Sequence, residues 1–229
     1  MPTHGHATTV AFCILYGAIF PAIFARDFDK VIRLSTELTT HCETLKMGPN
    51  YASAGRLCAG VARAIQDPSR ADLGAIRRET EILHGFGVYI LESPINALIA
   101  EILIARNDIA GAEAALQQAL QFVERTQERY WAAELHRLSG HLALRRADAD
   151  PERSAACFAR AIDVARSQEA RCLELRAVSD LIEMHHSQGV LNGEIELLGP
   201  LLDAIAGEAS GDVRKARTLL VSHAGGTRH

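Results

Sequence analysis

The feature that most constrains this chain is the regular interruption of a helical apolar rhythm. Residues spaced three and four apart are apolar nearly from end to end, the pattern of helices that bury one face. The spacing predicts helices over about 8–24, 28–46, 50–66, 70–85, 88–106, 109–127, 130–146, 152–168, 170–188, 191–206 and 212–222. Turn-forming residues punctuate them: Gly48-Pro49, Asp67-Pro68, Gly85 with Gly87, Asn107-Asp108, Asp150-Pro151, Gly189 and Gly207. Asp108 and Asp150 are expected N-caps, because a carboxylate there accepts from orphan amides of the first turn. No segment alternates as a strand; Val88–Leu91 comes nearest and runs into a helical pattern.

A second regularity lies inside the helices. Cys58, Val61, Ala62 and Ile65 place a small residue among large ones. Leu135, Leu138, Ser139 and Leu142 repeat the arrangement, as do Leu175, Val178, Ser179 and Ile182. Asn96, Ile99, Ala100 and Leu103 follow it apart from the polar first position. A small residue lets a partner helix approach, and the large ones fill the groove around it. The small positions 62, 100, 139 and 179 are 38, 39 and 40 residues apart. Gly17, beside Tyr16 and Phe20, has the same place in a longer first unit. Ala112, Leu116 and Ala119 form one face of an intervening helix, and Phe158 with Ala161 occupies matching places two helices later. Such spacing is the mark of stacked helix pairs, each burying its face on its neighbours. The expected fold is all-α: one domain over 1–229, about five antiparallel helix pairs forming an α-solenoid, closed by a polar C-terminal capping helix. That cap carries Asp212, Arg214, Lys215 and Arg217. Residues 1–7 and 224–229 are expected to be flexible ends.

Composition narrows the function. Hydrophobic residues make up 48% and aromatics 5%, which suits helices packed through small side chains and excludes global disorder. The formal charge is -4, only three lysines occur (Lys30, Lys46, Lys215), and no basic run is present, so direct nucleic-acid binding is not expected. The five cysteines are widely spaced and odd in number, which fits reduced thiols in a cytoplasm. One stretch resists this picture: Ala7–Ala25 carries no charge. Its length suits a membrane span or a signal sequence. The residues before it contain no Lys or Arg, and Gly17 and Pro21 interrupt it, so a buried first helix is expected.

From Tyr130 the chain reads YWAAELHRLSGHLALRR, then PERSAACFARAIDVARSQEARCLELRAVSDLIEMHHSQG, then ELLGPLLDAI. This resembles the C-terminal tetratricopeptide region of large bacterial regulatory ATPases, which carry a nucleotide cyclase or winged-helix domain ahead of a P-loop ATPase. The resemblance rests on Ala133 to Leu138 with Gly140, Cys157-Phe158 with Ala161, and Leu173 to Ala177. It covers 130–205 well and 8–129 more loosely. It implies a tetratricopeptide-like scaffold in signalling or transcription regulation that recognises a protein or peptide, including upstream domains of a larger regulator. It does not imply cyclase, ATPase or DNA-binding activity in this chain, and no G-x-x-x-x-G-K-[ST] loop occurs. In such repeats the first helices line the concave surface. On that register Arg63, Gln66, Glu101, His136, Arg176, Asp180 and Glu183 point inward as partner-binding candidates. Arg176 leads them, since a guanidinium grips a carboxylate in bidentate fashion.

Catalytic patterns are weak. Two E-x-x-H sequences, Glu81 to His84 and Glu183 to His186, lie in different repeats, whereas a di-iron site needs four converging helices. His4 and His6 are a thin metal-binding signal at the N-terminus. His185-His186 suits the C-terminal end of a helix dipole. Ser139 precedes Gly140 but belongs to the packing pattern, and no G-x-S-x-G elbow occurs. The expectation is a non-enzymatic interaction module without cofactor or metal. The alternatives are a small-molecule sensor with a pocket at Tyr130, Trp131 and His136, a metal-dependent enzyme, and a membrane-anchored adaptor.

Overall fold

The computed structural model describes residues 4–190, 193–205 and 210–226, and the side chains of 6–190, 193–205 and 210–222. All regular structure among these residues is helical. The elements are α1 (His4–Ile14), a π-helical turn (Leu15–Ile19), α2 (Phe20–Phe24), α3 (Phe28–Thr44), α4 (Pro49–Gln66), α5 (Leu73–Gly85) and α6 (Glu92–Ala105). Then follow α7 (Ile109–Thr126), α8 (Ala132–Arg145), α9 (Pro151–Ser167), α10 (Arg171–Ser187), α11 (Leu198–Ala204) and α12 (Gly211–Gly226). Short 3-10 turns occupy Pro68–Arg70 and Gly193–Leu197. The helices form two compact units, Met1–Arg106 and Asn107–His229. In the first unit α4 packs on α3, α5 and α6; in the second, each helix from α7 to α12 packs on the next.

Local chemistry explains the boundaries. Asp27, Asp72, Asp108 and Asp150 cap α3, α5, α7 and α9, each accepting from the amide three residues on, at 2.8–3.1 Å. Pro49 and Pro151 open α4 and α9, where a missing N–H costs nothing. Gly87 and Gly189 follow helix ends in the left-handed region (φ 72° and 71°), as their glycines allow. α6 begins at Glu92 rather than 88, because residues 89–91 turn before the helix is entered. The helical run at the N-terminus starts at His4, inside the segment expected to be flexible. Residues 1–3 and 227–229 of the expected flexible ends, and the turn at Gly207, lie outside the described residues.

In the first unit, α1 and α2 form a nearly continuous rod interrupted by the π turn. Pro21 lacks the amide that would bond to the carbonyl of Gly17, and Phe20 N–H instead reaches back five residues to the Leu15 carbonyl. Ala7, Ala11, Leu15, Ile19 and Ile23 are buried along one stripe. The rest of the helix is not buried: Phe12 is 52% exposed, and it begins a ladder of rings with Tyr16 and Phe20. The expectation of a buried first helix therefore holds for one stripe only. His6–Phe24 is long and apolar enough to cross a membrane, with 33% of that window buried in the protein. α3 and α4 pack as an intimate pair at Gly55. A methyl placed there would sit 2.5 Å from Thr39 Oγ1 and 2.8 Å from the Ser35 carbonyl oxygen.

The second unit is built around fully buried Phe158, with Ala161, Ile162, Leu175, Val178, Ile182, Leu198, Val213 and Ala216. Gly140 on α8 meets it: a methyl there would lie 2.8 Å from the Phe158 ring. The small residues at 62, 100 and 179 are buried as the spacing predicts. At the α8 position the closest approach falls one residue later, at Gly140. Ser139 is half-buried and bonds its hydroxyl back to the Leu135 carbonyl at 2.8 Å.

Candidate functional site

Two structures in the second unit bear on function: a closed network of buried charges and an open groove. The network joins α8, α10 and α12. Arg137 grips Glu134 in bidentate fashion through Nε and Nη2, at 3.0 and 2.7 Å. Arg176 donates to Glu134 at 3.0 Å and to Asp212 at 2.7 and 2.9 Å. Arg137 also reaches Asp180, which lies 2.6 Å from His141 Nε2 and 2.7 Å from Lys215 Nζ. Lys215 completes the chain at Glu183, 2.7 Å away. Arg137, Arg176 and Lys215 recur at one interval of 39 residues, so each cation occupies the same place on α8, α10 and α12. Sequence reasoning did not join Glu134, Arg137, Lys215 and Asp212 as one set; the shared interval was a signal for Arg137 and Lys215, and Glu134 and Asp212 had none.

The environment fixes the ionisation of these groups. Burial works against the charge of Asp180, but Arg137, the His141 hydrogen bond and Lys215 outweigh it and hold its carboxyl well below the usual carboxylate range. Burial likewise opposes the charge of Arg176, and Glu134 and Asp212 overcome it, raising its pKa. Lys215 is raised by Asp180 and Glu183 against the same cost of burial. The network is a structural tie between helices.

This corrects the placement of the leading partner-binding candidates. Arg176 and Asp180 are each only 4% exposed, and their hydrogen-bonding capacity goes to Glu134, Asp212, Arg137 and Lys215. They face inward, as expected, but toward neighbouring helices instead of a partner. Glu183 is exposed at the rim with Lys215 as its neighbour. In the first unit Arg63 is exposed, Gln66 donates to Asp29 at 2.9 Å, and half-buried Glu101 pairs with Arg26. The expected pocket also changes. Trp131 is buried in the core, whereas His136 lines a cavity.

That cavity belongs to the groove. α8 packs on both α7 and α9, while α7 and α9 make no extended contact, so the gap between them has α8 as its floor. One stretch, about 360 Å³, is lined by Glu113, Leu116, Gln117, Leu120, Gln121 and Glu124 of α7, with Ser139, Leu142, Ala143, Arg146 and Arg153. The adjoining stretch, about 570 Å³, shares Leu120 and Glu124 and continues past Val123, Ala132, His136, Arg160, Asp163, Val164 and Ser167. Polar bridges bound the two ends: Arg146 to Glu113 at 3.1 Å, and Gln168 to the Arg129 carbonyl at 2.6 Å. His136 is half-buried, and burial first, then nearby Arg160, lowers its pKa, favouring the neutral ring. The floor is apolar; the α9 wall carries Arg153, Arg160 and Asp163, and the α7 wall carries glutamates and glutamines.

No group of three or more His, Cys, Asp or Glu side chains is placed to hold a metal ion among the described residues. His84 lies 2.6 Å from Glu92, and the two E-x-x-H motifs fall in different units. His6 is exposed, and the side chain of His4 lies outside the described residues. His185 contacts Glu194 at 3.3 Å. The cysteines are all free, and burial pushes the Cys58 thiol up to about 12, which makes it inert. Comparison with family models, curated proteins and solved structures returned no match.

Proposed function

We propose that this chain is a non-catalytic helical-repeat module that binds a polypeptide partner in bacterial signalling or transcription regulation. The reading takes its helices as tetratricopeptide-like pairs forming an α-solenoid, in a cytoplasmic protein without cofactor. The observation that carries it is the groove over α8. It is elongated, open, apolar at the floor and polar at the rim, the anatomy by which a helical surface receives a peptide. Upstream domains of a larger regulator are one source of that peptide, as the resemblance of residues 130–205 implies.

A photo-crosslinking amino acid at Gln121, inside the groove, tests this in the source cell. A discrete polypeptide adduct that is lost when Leu120 is replaced by Glu is the expected result. No adduct from Gln121 sinks the reading. An immunoblot of the same cells separates the two contexts: a band near the 24.9 kDa of this chain identifies a free-standing adaptor, and a much larger band a regulator tail.

A small-molecule sensor is the second reading, favoured by the 570 Å³ stretch around His136, a size that suits a metabolite. A metabolite that raises the melting temperature of the wild type, and not of a variant with His136 replaced by Trp, would select it.

A further inference from the structure

The groove carries charges that the fold itself leaves unused. Arg153 and Arg160 stand seven residues apart on α9, both exposed and both lining the groove. Among the described residues neither side chain has an ion-pair partner, whereas Arg137 of α8 and Arg176 of α10 are tied into buried pairs. Arg153 lies in the first turn of α9, where a cation opposes the helix dipole, so helix stability does not account for it. Arg160 stands with half-buried His136 along the same stretch of groove. Facing these arginines the groove is apolar, with Leu142 on the α8 floor and Leu116 and Leu120 along the α7 wall. The opposite wall is rich in acceptors, with exposed Glu124, Gln117 and Gln121.

We infer that the α7–α8–α9 groove receives an amphipathic helix whose apolar stripe seats on Leu116, Leu120 and Leu142 and whose acidic flank meets Arg153 and Arg160. The inference rests on the interaction-module reading and names its site and the chemistry of its partner. Seven residues are two helical turns, so carboxylates seven apart on the bound helix match the two guanidiniums in register. The groove spans α7 from Glu113 to Gln127, about 20 Å, which holds about four turns of helix. Each guanidinium donates to a carboxylate at the rim, while leucines displace water from the floor, the division of labour of a helix-in-groove complex. The glutamate on the far wall disfavours a segment acidic on both flanks and so sets its orientation.

A display library of random peptides about fifteen residues long, selected against the purified chain, tests this. Enriched peptides are expected to carry an apolar i, i+3/i+4, i+7 stripe with Asp or Glu along one flank. Their affinity should fall about tenfold or more with Arg153→Glu/Arg160→Glu, the scale of losing two charge-assisted hydrogen bonds. It should be unchanged with Arg77→Glu, an exposed change in the first unit. Replacing the acidic flank by lysine should restore binding to the double variant and abolish it for wild type. Both arginines are exposed and unpaired, so the variant should keep its melting temperature; Leu120→Glu gives an independent block of the floor. Enriched peptides that bind wild type and both groove variants equally would overturn the groove assignment and leave the interaction-module reading standing. A library yielding no binder would overturn that reading itself.

Discussion

The two units are held by different physics. The first depends on small residues and close backbones: Gly55 brings α4 against Ser35 and Thr39 of α3, with Ala52, Ala54 and Ala59 buried along the same helix. Its prominent ion pairs, Arg26–Glu101 and Arg56–Glu79, are partly exposed. The second ties α8, α10 and α12 with charges taken almost wholly out of water. Helices can thus be kept in register by shape alone, or by shape together with a specific ladder of opposite charges. The second device costs desolvation, and its value lies in the penalty for any arrangement that leaves a charge unpaired.

The largest effects should come from breaking that ladder. Arg176→Glu places a third carboxylate between Glu134 and Asp212, and should destabilise the second unit by about 3–5 kcal/mol or prevent its folding. Chemical denaturation followed by circular dichroism measures it; an unchanged midpoint would show that the ladder contributes nothing. Phe158→Ala is of similar size, about 3–5 kcal/mol, because the ring is fully buried against Gly140. Gly55→Ala sharpens the other side of the comparison. The added methyl meets backbone and side chain of α3, and a loss of about 1–3 kcal/mol is expected in the first unit, whose own fluorescence or exchange signal should report it.

Acid should separate the units more gently. The folded pKa of Asp180 lies below its unfolded value of about 3.9, so its contribution is complete above that value. It is lost as pH falls through the lower, folded pKa. Hydrogen exchange of α8 and α10 should therefore accelerate below about pH 4 more than that of α3 and α4, and Asp180→Asn should flatten the difference. Smallest is Gln127→Gly. Gln127 ends α7 with φ 60°, a conformation that glycine adopts without strain, and a gain of about 0.5–1 kcal/mol in the denaturation midpoint is expected.

Much of the helical framework was legible because it is written locally. Asp108 and Asp150 cap their helices where a carboxylate before an apolar run predicts. The helix ranges agree within about four residues except for 191–206, which holds a 3-10 turn over Gly193–Leu197 and a helix of only Leu198–Ala204; a smaller departure falls at the start of α6. There, Val88 to Leu91 has helical apolar spacing, yet Gly87 in the left-handed region and the turn after it delay the start. The site was less legible. Arg176 was singled out for the right chemistry and the wrong partner, since a bidentate guanidinium looks the same in sequence whether its carboxylate belongs to α12 or to another molecule. Arg153 and Arg160 drew no notice, because a lone arginine on a polar helix face acquires meaning only beside an apolar floor.

Sequence by itself determined the all-helical class, most of the helix limits and the 38 to 40 residue beat of small side chains, because capping, turn formation and apolar periodicity act over a few neighbouring residues. Tertiary structure alone decided which charges are spent on the fold and which remain exposed beside the groove. It also opened the groove, since the gap between α7 and α9 depends on how both rest on α8, and a separation in space between helices some forty residues apart has no local signature in the chain.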